Sequence, residues 1–171
     1  RGVLKEAGEL GFGSLYVNDA DGGSGLSRLD STLVFEALAM ACPSVSSFIS
    51  IHNMCAWMIS QYGNQHVKEK FLHPMLRMDK ICSYCLTEPD SGSDSAALST
   101  KAEKTNEGFR VNGTKSFISG GAFSDIYLTM VRTGEAGPHG ISALLVEKNT
   151  KGLCFGSNEE KMGWKSQPTA Q

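Results

Sequence analysis

The chain has 171 residues and a formal net charge of −2, with acidic and basic side chains interleaved along its length. No basic stripe is present that could neutralise several phosphates, so we expect no nucleic acid partner. The most apolar stretch, residues 45–59, contains His52 and Asn53 and is shorter than the roughly 20 apolar residues of a membrane span. We expect no membrane span, and we interpret these two residues as hydrogen-bonded core groups.

The chain opens with helical spacing and no signal-like segment, so we expect its true start to lie upstream. A capping box marks the first long helix, because Ser27 is followed three residues later by Asp30. Pro43 predicts the end of this helix. Its apolar positions form two adjacent stripes, so we expect it to be mostly buried. One stripe consists of Leu29, Leu33, Ala37 and Met40.

A second helix is predicted over residues 44–62, with Gly63 as a left-handed cap. Asn64 then predicts the start of a third helix, which Pro74 interrupts or kinks. Residues 1–80 are therefore predicted to form a helical bundle that is incomplete at its start.

From residue 81 the pattern changes to short β-rich segments, which predicts an antiparallel, barrel-like domain over residues 81–171 that we expect to be incomplete at its end. The segment Asn106-Glu107-Gly108 predicts a hairpin loop in which the glycine takes a positive φ. The fold class is therefore α+β, with the helical bundle preceding the β-domain. We predict strands at residues 82–87, 98–105, 109–112, 114–119, 125–133, 140–147 and 153–156.

The five cysteines are scattered through apolar runs, which indicates small buried residues and a reducing compartment. Cys82 and Cys85 have C-x-x-C spacing, but residues three apart in a strand point to opposite faces. No second pair or nearby histidine completes a metal site, and we expect no bound metal.

Two segments have compositions that suit a binding site. In residues 84–94 a strand stops at Pro89 and enters a loop of small polar residues, whose backbone N–H groups can surround a phosphate. In residues 112–121 Phe117 and Ser119 would share one face of a strand and offer a ring and a hydroxyl to a flat heterocycle. Taken alone, each segment also fits an ordinary surface turn or strand.

Taken together, the two segments resemble the acyl-CoA dehydrogenase family. Its signature Y-C-x-T-E-P-x-x-G-S-D matches residues 84–94, and its N-G-x-K-x-aromatic-I-[ST] segment matches residues 112–119. Further similar segments at residues 22–27, 36–39, 51–59 and 163–169 extend the resemblance over essentially the whole chain. The resemblance implies a truncated form of the family fold, in which the C-terminal helical domain is absent.

The resemblance implies FAD as the cofactor. Thr87 is implied to lie near the flavin pyrimidine edge, Ser93 near both the pyrophosphate and the acyl-CoA substrate, and Ser119 near flavin N5. Phe117 stands where most relatives carry tryptophan, which keeps stacking but removes the indole N–H. The implied cofactor-binding residues are Tyr84, Cys85, Leu86, Thr87, Glu88, Pro89, Asp90, Ser91, Gly92, Ser93, Phe117, Ile118 and Ser119.

Asp90 also departs from the family pattern, since relatives usually have glycine there. If the backbone needs a positive φ, aspartate tolerates it better than most residues. Its charge would lie near the cofactor phosphates, and we expect it to weaken FAD binding.

The implied activity is FAD-dependent α,β-dehydrogenation of a short branched acyl-CoA such as isobutyryl-CoA, in valine breakdown. In this family a glutamate removes the α-proton while the β-hydrogen leaves as hydride to flavin N5. That glutamate belongs to the C-terminal helical domain, so we expect no catalytic residue in this chain and little activity from it alone. Glu88 is interpreted as a loop anchor and not as this base.

The resemblance also implies electron-transferring flavoprotein as a partner, a homotetrameric complete enzyme and a mitochondrial matrix location. Two alternatives stay open. One is a truncated, non-catalytic module that binds flavin or partner subunits. The other is an acyl-CoA oxidase-like offshoot that passes electrons to oxygen and produces peroxide.

Overall fold

A computed structural model describes all residues from 1 to 171. The chain divides into two compact units, Arg1–Ser83 with Glu160–Gln167 and Tyr84–Glu159 with Pro168–Gln171. Helices precede strands, which confirms the predicted α+β class. No helix combines the length and the apolar character needed to cross a bilayer.

The first unit is helical, and its helix boundaries follow local chemistry. Ser27 Oγ accepts a hydrogen bond from Asp30 N (3.1 Å), and the Asp30 carboxylate accepts one from Ser27 N (3.2 Å), which confirms the predicted capping box. Pro43 is the first residue of the next helix, where its missing N–H costs no hydrogen bond. The helices are α1 Gly2–Glu9, α2 Arg28–Ala41, α3 Pro43–Tyr62, α4 Gln65–Val67 and α5 His73–Leu76.

The three predictions made for Gly63, Asn64 and Pro74, after α3, had different outcomes. Gly63 is not a left-handed cap, because its φ is −72°. Glycine is needed there because a Cβ would lie 2.5 Å from Ile59 O. Asn64 caps α4 as predicted, and its side chain accepts from Val67 N at 2.9 Å. The interruption predicted at Pro74 is the π-helical turn between α4 and α5, which suits a proline that lacks an N–H.

Helix α2 is exposed, and the expectation that it is mostly buried was wrong. Leu29 is 71% exposed, Leu33 57% and Met40 82%, and Ser31 is the one buried residue of the helix. The helix packs against α3 along one side. Periodicity reports how much apolar surface a helix carries, but not whether a neighbour covers it.

Polar residues are built into the core of the first unit, which confirms the interpretation of His52 and Asn53. Both side chains are fully buried. Asn53 Oδ1 accepts from Leu15 N at 2.7 Å. His52 Nδ1 accepts from Cys82 N at 3.1 Å, so Nε2 carries the proton and donates to Met75 O at 2.9 Å.

The second unit is built on a five-stranded sheet of order β1-β5-β2-β3, with β6 also paired to β5, in which the β2–β3 and β5–β6 pairs are antiparallel. The pairing of β2 with β5 is parallel and confined to Lys101 and Arg132. A separate two-stranded sheet joins β4 to β7. The strands are β1 Cys82–Cys85, β2 Lys101–Thr105, β3 Gly108–Asn112, β4 Ile118–Ser119, β5 Ile126–Arg132, β6 Ile141–Glu147 and β7 Thr169–Ala170.

Two strand predictions were wrong, and one strand was missed. The strand expected at residues 114–119 is reduced to β4, because Phe117 takes a positive φ of 57°. Residues 153–156 form no strand; Phe155 instead packs on the Tyr127 ring, with centroids 5.3 Å apart. Strand β7 was not predicted. The hairpin glycine was predicted correctly, since Gly108 has a φ of 138°.

We predict that His52→Leu lowers the free energy of unfolding by about 2–4 kcal/mol. The substitution removes the hydrogen-bond partner of two buried backbone groups, each of which costs about 1–3 kcal/mol when unpaired. Urea unfolding followed by circular dichroism measures the change. His66→Leu, at an exposed position of α4, is the matched control and is expected to change stability by less than about 0.5 kcal/mol. Equal effects of the two substitutions would contradict the assignment.

Candidate functional site

The loop that follows β1 begins with a tight turn. Glu88 N donates to Ser91 O (3.0 Å) and Ser91 N donates to Glu88 O (3.2 Å), with Pro89 and Asp90 between them. Ser91 Oγ donates to Asp94 O at 2.7 Å and ties the turn to the following residues. Asp90 is exposed and does not take a positive φ, so the backbone strain considered for this position is absent. These bonds set the direction in which the backbone leaves the turn after Ser91.

The second predicted segment presents Phe117 outward. Ser116 and Ile118 are buried, whereas Phe117 is 64% exposed and Ser119 is half-buried. The φ of 57° at Phe117 is unusual for a residue with a side chain and costs of order 1–3 kcal/mol. Phe117 and Ser119 therefore alternate with buried neighbours, as predicted. Phe117 has a left-handed backbone, however, and lies before β4, so the two residues do not share the face of one strand.

Hydrogen bonds join the two segments directly. Ser116 N donates to Thr87 O at 2.8 Å. Lys115 Nζ donates to Leu86 O at 3.0 Å and to Glu88 Oε1 at 2.7 Å. The segment from residue 86 to 88 and the segment at 115 and 116 consequently lie side by side within the second unit.

The Glu88 carboxylate is the centre of this junction. Its side chain is 3% exposed, and it also accepts from Ser99 N (2.6 Å), Ser99 Oγ (2.8 Å) and Thr100 N (2.9 Å). Burial raises the pKa of Glu88, but the hydrogen bonds from Lys115, Thr100 and Ser99 outweigh it and lower the pKa to about 2. A carboxylate with that pKa is a poor proton acceptor at neutral pH. The interpretation of Glu88 as a loop anchor is confirmed by these contacts.

The other predicted site residues differ in what they expose. The Cys85 and Ile118 side chains are buried and pack with Tyr127 in a core cluster. The Ser91 side chain is also buried. Half-buried residues are Tyr84, Leu86, Thr87 and Ser119. Exposed residues are Pro89, Asp90, Gly92, Ser93 and Phe117.

Gly92 shows that the surface beside the loop is open. Its φ is not positive, and a Cβ added there would meet no atom within 4 Å. The fold itself therefore gives no steric reason for glycine at this position, whereas a ligand approaching the backbone closely would. The exposed Phe117 ring is two residues from the Ser119 hydroxyl. Gly92, Phe117 and Ser119 together fit a flat cofactor that carries phosphate groups.

Three supporting residues were missed as site residues in the sequence. Lys115 lies in the segment of residues 112–119. Its charge is opposite to that of Glu88 in residues 84–94, and this opposite charge was the sequence signal for the contact. Thr169 in β7 pairs with Ser119. Arg132 donates from Nε to Leu98 O (3.0 Å) and from Nη2 to Ala96 O (2.8 Å), which fixes the far end of the loop. No local pattern marks the last two.

We predict that the stabilisation from Glu88 is present above about pH 4.5 and is lost as the pH falls toward about 2. Its pKa is lowered in the fold from an ordinary value of 4.5, so the unfolded chain binds the proton first and folding loses this contribution in acid. The difference in unfolding free energy between the wild type and Glu88→Gln should shrink from pH 7 to pH 3 in urea titrations. Glu103→Gln, on an exposed carboxylate, is the control. A difference that stays constant over this range would be inconsistent with the lowered pKa.

Comparison with known proteins gives the chain a family. The N-terminal domain of acyl-CoA dehydrogenases matches residues 1–79, and the middle domain of acyl-CoA dehydrogenases matches residues 83–171. Mitochondrial isobutyryl-CoA dehydrogenase of Dictyostelium discoideum is 59% identical over 170 residues, which are 99% of this chain and 41% of that protein. The chain thus spans less than half the length of this relative.

Solved structures agree with the sequence matches. Butyryl-CoA dehydrogenase from Megasphaera elsdenii superimposes with a TM-score of 0.91 at 35% identity, covering 99% of this chain and 46% of that one. A structure described as PigA with FAD and proline gives a TM-score of 0.92 at 30% identity, covering 99% and 45%. With both domain matches and the hydrogen-bonded signature segments in place, the chain belongs to the acyl-CoA dehydrogenase family.

Proposed function

We propose that this chain supplies part of the flavin and substrate site of an oxidoreductase that dehydrogenates a short branched acyl-CoA thioester at its α and β carbons. Isobutyryl-CoA, an intermediate of valine breakdown, is the proposed substrate class. The similarity to isobutyryl-CoA dehydrogenase of Dictyostelium discoideum supports this choice over longer thioesters. The same relative, which is mitochondrial, supports a mitochondrial matrix location.

One observation carries the proposal: the junction of residues 86–88 with Lys115 and Ser116. It holds the turn beginning at Glu88 beside the residue that precedes the exposed Phe117 ring. A flavin binding here would need an apolar ring face, a hydroxyl at its edge and donors for its phosphates. Phe117, Ser119 and the backbone around Ser93 are the groups of this chain that we assign to those three roles.

FAD, when bound, supplies the acceptor for the hydride that leaves the substrate β-carbon. The contribution of this chain is to bind and orient. Phe117 offers its exposed face to the ring system, and Ser119 offers a hydroxyl for hydrogen bonding at its edge. The exposed backbone at Gly92 and Ser93 can approach phosphate closely, because no Cβ stands in the way at Gly92.

Proton abstraction from the substrate is not assigned to a residue of this chain. Glu88 is excluded as the base, since its carboxylate is buried, hydrogen-bonded to several donors and held ionised with a pKa of about 2. We propose that the base is contributed by the C-terminal helical domain found in the family. Electron-transferring flavoprotein as electron acceptor and a homotetrameric complete enzyme belong to the same proposal.

We predict that the purified 171-residue chain binds FAD and that Phe117→Ala weakens binding about tenfold, because an aromatic stacking contact contributes about 1.4 kcal/mol. Titration of FAD with protein, followed by flavin fluorescence and visible absorption, gives the dissociation constants. Phe109→Ala is the matched control, since Phe109 is 49% exposed on β3 outside both signature segments. No flavin binding by the wild type, or equal losses in the two variants, would refute the site.

We further predict no measurable turnover of isobutyryl-CoA by this chain when FAD and an artificial electron acceptor are added. The ring-binding groups are present, but no carboxylate is assigned as base. Enoyl-CoA formation is measured with a full-length family member as positive control. Turnover near that of the control would overturn this prediction, and peroxide formation without an added acceptor would favour the oxidase alternative.

A further inference from the structure

The Glu88 carboxylate closes the cofactor loop at its base. Residue 88 begins the loop and residues 99 and 100 end it, and the carboxylate at the start accepts hydrogen bonds from the residues at the end. Ser99 N lies 2.6 Å away, Ser99 Oγ 2.8 Å and Thr100 N 2.9 Å. Residues 89–98 are thereby drawn into a closed loop, whose ends are joined by a side chain and not by a strand ladder.

Lys115 extends the same cluster to the second signature segment. Its ammonium donates to Glu88 Oε1 at 2.7 Å and to Leu86 O at 3.0 Å, and its side chain is 10% exposed. An ion pair this buried is weakly screened by salt, unlike a surface pair. Removing either partner leaves the other charge buried without its counter-charge, which is strongly unfavourable.

We propose that Glu88 and Lys115 are positioning residues for the flavin site, whose ion pair holds the loop of residues 89–98 closed against the Phe117–Ser119 segment before any cofactor arrives. This inference rests on the proposed function. Neither residue of the pair is proposed to contact the cofactor. The ion pair determines the fraction of molecules in the binding-competent state, in which residues 89–98 lie against the segment that carries the Phe117 ring.

The expected size of the effect follows from that fraction. The apparent dissociation constant equals the intrinsic one divided by the fraction of molecules in the binding-competent state. A variant in which the loop is closed in about a tenth of the molecules therefore binds FAD about tenfold more weakly. Opening also exposes the loop-end amides, so the pair has an observable consequence without any cofactor.

The test compares FAD affinity and amide hydrogen exchange in the 171-residue chain and its variants. We expect Glu88→Gln and Lys115→Met to bind FAD about tenfold more weakly, and Lys115→Arg, which keeps the charge, to retain more affinity than Lys115→Met. In the free chain, the Ser99, Thr100 and Ser116 amides should exchange faster in the two neutralised variants. Circular dichroism confirms that each variant is folded at the temperature used.

Two controls separate positioning from general stability. Lys101→Met removes an exposed ion pair with Glu103 on β2 and should leave FAD affinity within about twofold of the wild type. Val131→Ala creates a cavity in buried β5 and should lower the melting temperature without weakening FAD binding. If Glu88→Gln does not fold, FAD affinity and amide exchange are compared between Lys115→Arg and Lys115→Met. Equal values in these two variants would overturn the inference.

The outcomes are distinguishable. Wild-type chain that binds no FAD would overturn the proposed function and this inference with it. Wild-type chain that binds FAD with affinity unchanged by Glu88→Gln and Lys115→Met would overturn the inference alone. Equal loss of affinity in Val131→Ala would also overturn it, since the pair would then act only through stability.

Discussion

A single buried carboxylate determines how the candidate site is assembled. Glu88 is ionised, and its partners come from two places in the chain: Ser99 and Thr100 at the loop end donate hydrogen bonds, and Lys115 in the second segment supplies the opposite charge. Ionised groups are stable in a buried site only when they are paired and hydrogen-bonded. The local arrangement therefore has to bring these parts together, and the exposed residues between them take their positions from that requirement.

Phe117 illustrates what this constraint makes possible. Its left-handed backbone is unfavourable by itself, but Ser116 N is bonded to Thr87 O on one side and β4 is paired with β7 on the other. The surrounding bonds outweigh the cost of the unusual φ. The apolar Phe117 ring is consequently held in solvent. A ligand that covered the ring would remove apolar surface from water, which is favourable. A positive φ at a residue with a side chain is often found at ligand-binding sites.

Local chemistry explains which parts of the fold could be predicted from the sequence. The Ser27 capping box, the end of α2 just before Pro43 and the hairpin glycine Gly108 depend on neighbours within a few residues, and each was predicted correctly. Gly63 was misread because its requirement is steric, a clash with Ile59 O, and not conformational.

Long-range contacts explain the rest. The signature segments could be predicted as a pair only through family resemblance, since the contact between Glu88 and Lys115 joins residues 27 positions apart. Strand β7 and the carbonyl contacts of Arg132 have no local pattern. The exposure of Leu29, Leu33 and Met40 likewise depends on what lies against α2, which periodicity does not encode.

We propose that the loop through Ser93 and the segment from Phe117 to Ser119 hold one flavin. A crystal structure of the chain grown with FAD would show whether they do. We predict electron density for the isoalloxazine against the Phe117 ring with its edge at Ser119, and phosphate density at the backbone of residues 91–93. Flavin density elsewhere on the protein, with these residues facing solvent, would contradict this binding mode.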